Sequence, residues 1–97
     1  MEPLRVSLLQ GDTRWHDPAA NRAHYGALLD SLDAPADLIV LPETWSTGFT
    51  NFVPEQAEAM DGPSAAWMQE QAARTGAVIT GSLLIAEGGR CFNRLVW

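Results

Sequence analysis

Glu43 is the residue whose type and setting best suit acid-base chemistry. It follows Asp37-Leu38-Ile39-Val40-Leu41-Pro42, a run without polar alternation, as a central strand covered on both faces would be. In open α/β sheets the reactive groups gather at the carboxyl ends of parallel strands, and a carboxylate placed there suits a general base. Pro42 cannot donate to the ladder, so it ends regular pairing and helps to aim Glu43 into a cleft. Partial burial would raise the pKa of such a group toward the range useful to a base. From position alone the alternative is a strand-end Glu that meets solvent or caps a neighbouring amide.

The other reactive types mainly exclude. The chain contains no Lys, so these residues alone support no Schiff base, phosphate clamp or ammonium electrophile. A single Cys forms no internal disulfide; Cys91 follows Gly88-Gly89 in a strand-like run and reads as a small apolar filler. His16, His24 and Cys91 stand apart without ligand spacing, so no metal site is expected. His16 falls in a loop and His24 in a helix beside polar neighbours, both expected at the surface. The net charge is −6 and the six Arg residues form no basic stripe, which argues against nucleic acid as a partner. Neither a leader-like segment nor a membrane-spanning stretch is visible, and a cytoplasmic protein is expected.

The elements that must position Glu43 can be read from the apolar pattern. Hydrophobic residues make up 46% of the 97, enough to drive burial in one domain or one piece of a larger one. Leu4 to Leu9 reads as a first strand, ended by Gly11 and Asp12. Asp17-Pro18 reads as a helix N-cap and first position, and Tyr25, Leu28, Leu29 and Leu32 recur at helical spacing, giving a helix over 18–32. The strand that carries Glu43 should therefore pair in parallel with the first. Thr44 to Asn51 mixes Ser46, Thr47 and Gly48 with Trp45 and Phe49, as a packed functional loop would.

Gly62-Pro63-Ser64 opens a second helix that turns Trp67, Met68 and Ala72 inward and stops at Gly76. Ala77 to Ala86 and Arg90 to Trp97 then form two strand-like runs around Gly88-Gly89, a hairpin. The order is β-α-β-α-β-β, an α/β fold with a mixed sheet. Because Leu95-Val96-Trp97 stops inside a strand-like run, a longer parent chain is expected.

With these elements placed, Leu38-Ile39-Val40-Leu41-Pro42-Glu43 and the following Ser46-Thr47-Gly48-Phe49 resemble the first catalytic segment of the nitrilase (carbon-nitrogen hydrolase) superfamily. Val6 to Gln10, Asn21, Gly81-Ser82 and Asn93 resemble further landmarks of that family, so the resemblance spans nearly the whole chain. The Thr-Gly-Phe variant is most similar to the omega-amidase-like branch, which acts on 2-oxo dicarboxylate monoamides.

The resemblance implies that residues 1–97 are the N-terminal portion of one such domain, part of a four-layer α-β-β-α sandwich. It also implies a Glu-Lys-Cys mechanism in which only Glu43 is present here, with Lys and Cys farther along the chain. A small-molecule amide substrate, no cofactor and a homodimer at full length are implied too. Phe49 is assigned to the substrate pocket, Trp45 to the core, and Asn93 to holding the loop near Glu43. Taken literally, a chain without Lys or a placed Cys also fits a non-catalytic scaffold with a binding or interaction role.

Overall fold

The structure is a computed structural model and describes residues 2–97. Three apolar runs make the parallel part of its sheet: β1 (Val6–Leu8), β2 (Leu38–Val40) and the start of β3 (Val78–Glu87). They lie in the order β1-β2-β3 and in step, so Ser7, Ile39 and Ile79 stand side by side. β4 (Arg90–Val96) lies antiparallel on the far side of β3. Gly88 and Gly89 join the two at φ 59° and 75°, the pair of positive values that a two-residue type I′ turn needs. The expected mixed sheet is thus formed. β2 is shorter than its apolar run, because after Leu41, whose amide still bonds to Thr80, Pro42 has no N–H to continue the ladder.

The helices form where cap chemistry favours them. α1 (Pro18–Asp30) starts at Asp17, whose Oδ1 accepts the Ala20 amide at 3.1 Å. It ends two residues before the expected Leu32, with the Ser31 N–H bonded back to the carbonyls of Ala27 and Leu28. A single-turn helix, α2 (Val53–Gln56), was not expected from the sequence. α3 (Pro63–Thr75) stops at Gly76, in the left-handed conformation at φ 72°. Its N-terminus is capped from upstream, since Glu58 accepts the Ser64 amide at 2.9 Å and the Ser64 hydroxyl at 2.7 Å. A carboxylate there also suits the positive end of the helix dipole.

The main core lies on one face. Ile39, Ile79, Leu83 and Ile85 point toward the helices and meet Tyr25 and Leu29 of α1 and Met68 of α3 in one core. Trp45, fully buried, fills the space beyond β2, set edge-on to Tyr25 at 5.9 Å and tilted on Trp67 at 4.8 Å. Gly81 leaves room for it: a methyl group there would lie 3.0 Å from the Trp45 ring and 2.8 Å from Leu41 Cβ. The opposite face, which carries Leu8, Val40 and Leu95 by the same pleat, has no helix over it among the described residues. Leu8 is 74% exposed and Leu95 69%. The expectation that β2 is covered on both faces is therefore corrected, for Leu38 and Val40 are only half-buried. An unbroken apolar run shows that a strand is central, which β2 is, but not that two layers flank it.

Asn21 ties the two loops at the end of the sheet to α1. It is fully buried, donates through Nδ2 to the carbonyls of Arg14 and Ser46 at 2.7 Å each, and accepts the Arg14 amide at 2.6 Å. Asn21→Ala leaves these backbone groups unpaired and is expected to lower the unfolding free energy by at least about 2 kcal/mol in urea titrations. Two glycine substitutions should act with opposite sign in the same measurement. Gly81→Ala is expected to destabilise by about 1–3 kcal/mol through overpacking. Gly26→Ala lies within α1, where the nearest atom to a new methyl is 3.9 Å away, and is expected to stabilise by about 0.5–1 kcal/mol.

Candidate active site

Glu43 lies just past the carboxyl end of β2, between two residues anchored in the fold. Leu41 before it is buried and bonded to β3 through the Thr80 carbonyl at 2.8 Å, and Trp45 after it is buried in the core. The turn that begins at Thr44 is closed by the amides of Thr47 and Gly48, which donate to the Thr44 carbonyl at 3.2 and 2.8 Å. Thr44 itself has φ 46°, a left-handed conformation that a β-branched residue adopts only under constraint. Such a conformation costs on the order of 1–3 kcal/mol. The Thr44 amide donates to the Ser82 hydroxyl at 2.8 Å, a buried contact with β3.

The carboxylate that this backbone presents is met by β4. Asn93 Nδ2 donates to Glu43 Oε2 at 2.9 Å, fixing one oxygen, while the other has no hydrogen-bond partner among the described residues. The two line a cavity of about 340 Å³ on the uncovered face of the sheet, with Val40, Thr80, Ser82 and Leu95 completing the wall. An ionised carboxylate of this kind accepts a proton at its free oxygen. Glu43 is exposed, so the expectation of partial burial is corrected for the described residues. A larger hollow, of about 600 Å³, lies between α3 and the end of β4. Its lining is mainly aliphatic, from Ala65, Met68, Ala72, Ile79 and Val96, with Asp61 its one carboxylate, so it offers no comparable convergence of polar groups.

The remaining candidates are placed as follows. Trp45 is core, as expected; Asn93, expected to hold the loop near Glu43, bonds to the Glu43 carboxylate itself. Phe49 is 77% exposed and is not among the residues around the Glu43 cavity; its carbonyl accepts the Trp15 indole N–H at 3.1 Å. Cys91 is exposed on β4 opposite Ala86, which corrects its reading as a buried filler. His16 and His24 are half-buried and engaged, not simple surface residues. His16 stacks on Trp15 at 3.5 Å and shares a hydrogen bond with Thr50, while His24 Nε2 accepts the Asp12 amide. Among the described residues no group of three His, Cys, Asp or Glu side chains could hold a metal ion.

Thr44 was not singled out from the sequence, and Ser82 only as part of the Gly81-Ser82 landmark, with no role at the site attached. A faint signal existed for Ser82, since Thr80 and Ser82 alternate with Ile79, Gly81 and Leu83 in an otherwise apolar run, marking the cavity-facing side of β3. Nothing in the sequence marks Thr44 as left-handed, because Gly, Asn or Asp would ordinarily signal that conformation.

This arrangement can be set beside known proteins. The sequence profile of the family described as carbon-nitrogen hydrolase matches residues 5–97. The omega-amidase YafV of Yersinia enterocolitica is 36% identical over 101 residues, covering 99% of this chain and 37% of the relative. The 2-oxoglutaramate amidase of Bacillus subtilis is 27% identical over 92 residues, covering 93% of this chain and 36% of the relative. A crystal structure from Xanthomonas campestris, of a CN-hydrolase superfamily protein with an arsenic adduct in its active site, superposes with a TM-score of 0.94 at 56% identity. That superposition covers 100% of this chain and 37% of the other, so the chain spans little more than a third of the proteins it matches. With the profile running almost from end to end and Glu43 at the strand terminus beside Asn93, the chain belongs to the carbon-nitrogen hydrolase family.

Proposed function

We propose that Glu43 is the general base of an amidase acting on small carboxylate-bearing amides, in the manner of an omega-amidase that releases ammonia from 2-oxo dicarboxylate monoamides. The observation that carries this reading is the Glu43 carboxylate at the end of β2, held through one oxygen by Asn93 and open to a cavity through the other. The similarity to an omega-amidase and to a 2-oxoglutaramate amidase narrows the substrate class.

In the Glu-Lys-Cys scheme that the family resemblance implies, Glu43 takes the proton of a cysteine thiol, and the thiolate attacks the amide carbon. A thiol is mostly protonated at neutral pH, so it needs a base at hand. A Lys with a backbone N–H stabilises the tetrahedral oxyanion. As the C–N bond breaks, the proton held by Glu43 passes to the nitrogen and ammonia leaves, giving a thioester. Glu43 then takes a proton from water, the hydroxide attacks the thioester, and the thiolate departs from the carboxylic acid product and regains its proton from Glu43. Lys and Cys belong to chain outside these 97 residues, which by themselves are expected to be inactive.

Phe49, whose ring is exposed, is proposed to contact the substrate. A homodimer at full length and a cytoplasmic location complete the reading; no helix among the described residues is long and apolar enough to cross a membrane. The second reading, a scaffold that has lost its chemistry and serves binding, is favoured by two observations. The chain has no Lys, and Cys91 lies outside the Glu43 cavity.

Ammonia release separates the two. The gene product expressed from its own reading frame is expected to hydrolyse at least one member of a panel of 2-oxo dicarboxylate monoamides and simple amides, and silence across the panel would leave the scaffold reading. Glu43→Gln should lower kcat by about 10²–10⁴-fold, the range of a lost general base, with an unchanged circular dichroism spectrum. Full activity in that variant would remove Glu43 from the mechanism. Phe49→Ala should raise KM several-fold at similar kcat, as loss of uniform substrate binding does.

A further inference from the structure

We infer that Ser82 is a positioning residue for Glu43, acting by holding Thr44 in its left-handed conformation. The inference rests on the reading of Glu43 as the base. Among the described residues only His16 and Thr44 combine a side chain with positive φ, and threonine, branched at Cβ, tolerates it poorly. Something must therefore hold Thr44 there. Its carbonyl bonds to Thr47 and Gly48, and its hydroxyl to the Glu43 carbonyl at 2.8 Å, but these contacts are local and would move with the turn. The bond from the Thr44 amide to the Ser82 hydroxyl reaches across 38 residues to a buried strand, and anchors the turn to the sheet.

The anchor bears on the carboxylate because the chain is pinned on either side. Leu41 is bonded to β3 and Trp45 is packed against Gly81, so a change in φ at Thr44 has to be taken up at Glu43. Ser82 and Asn93 are also fixed relative to each other. Ser82 pairs with Leu95 and Leu84 with Asn93 on adjacent strands, which places both polar groups on the cavity face two residues apart in register. One holds the peptide that follows Glu43, and the other holds its carboxylate. Without Ser82, Asn93 would face a carboxylate whose direction is no longer set.

The test uses the gene product in the ammonia assay, with Ser82→Ala, Ser82→Thr and the double variant Ser82→Ala/Thr44→Gly. Ser82→Ala should lower kcat by about 10–100-fold, the effect of a misplaced catalytic group, with KM little changed. Ser82→Thr keeps the hydroxyl and should restore most of the rate. Glycine adopts positive φ without penalty, so Thr44→Gly should recover much of the kcat lost in Ser82→Ala, whereas a merely structural Ser82 predicts that the second change deepens the loss. Independently of turnover, the Thr44 amide should exchange about ten-fold faster in Ser82→Ala than in the parent, and slowly again in Ser82→Thr. Parental kcat in Ser82→Ala, no recovery in the double variant, or equal exchange of the Thr44 amide would each overturn the inference. If the parent hydrolyses no amide, the reading of Glu43 fails, and amide exchange alone decides whether Ser82 anchors Thr44.

Discussion

Burial of Trp45 against the bare Cα of Gly81 is the constraint on which the end of the sheet depends. The ladder between β2 and β3 stops at Pro42, and three residues later an indole has to sit in the core between Tyr25 and Trp67. The chain can meet both demands only by turning sharply through Glu43 and Thr44. Removing a buried Trp from a core costs about 3–5 kcal/mol, whereas a residue in a sparsely populated backbone region costs about 1–3 kcal/mol, so packing prevails over the strain at Thr44. The consequence is chemical. With Leu41 and Trp45 both directed into the core, the side chain left at the strand end, on the cavity side, is a carboxylate.

The cavity that receives this carboxylate lies on the face that no helix covers. Leu8 and Leu95 on that face are largely exposed, and Val40 and Leu95 line the cavity together with Ser82, Thr80 and Asn93. Any group that reacts with Glu43 must therefore approach across a mostly apolar surface, where hydrogen bonds and charges act more strongly than in open water once it is covered. The polar groups present are few and mounted on the central strand and its hairpin partner. Rigid mounting of this kind suits a site whose geometry has to hold to fractions of an ångström.

Much of this was legible in the sequence because it depends on local rules. The caps at Asp17 and Gly76, the hairpin at Gly88-Gly89 and the parallel pairing of β1 with β2 each follow from residue types at fixed offsets, and the structure has them in place. Glu43 and Trp45 could be placed because strand ends and apolar runs carry positional meaning, and Asn93 through the family resemblance. What was not legible depends on tertiary context. An apolar run does not state how many layers cover it, so the half-burial of Leu38 and Val40 and the exposure of Glu43 were missed. The ring of Phe49 follows a turn whose course is set by Thr44 and Gly48, and Thr44 carries no mark of its left-handed backbone. Ser82 is named by the family resemblance only as half of a Gly81-Ser82 landmark, and its task shows only in the Thr44 amide found against it.

The central claim is that Glu43 is one member of a Glu-Lys-Cys set whose other members lie elsewhere in the protein. The measurement that bears on it most directly is the nucleotide sequence that follows the codon for Trp97 in the native gene. The account predicts an open frame that supplies a Lys and then a Cys, each at the end of a strand-like apolar run. A stop codon immediately after Trp97 would contradict it and leave Glu43 without partners for catalysis.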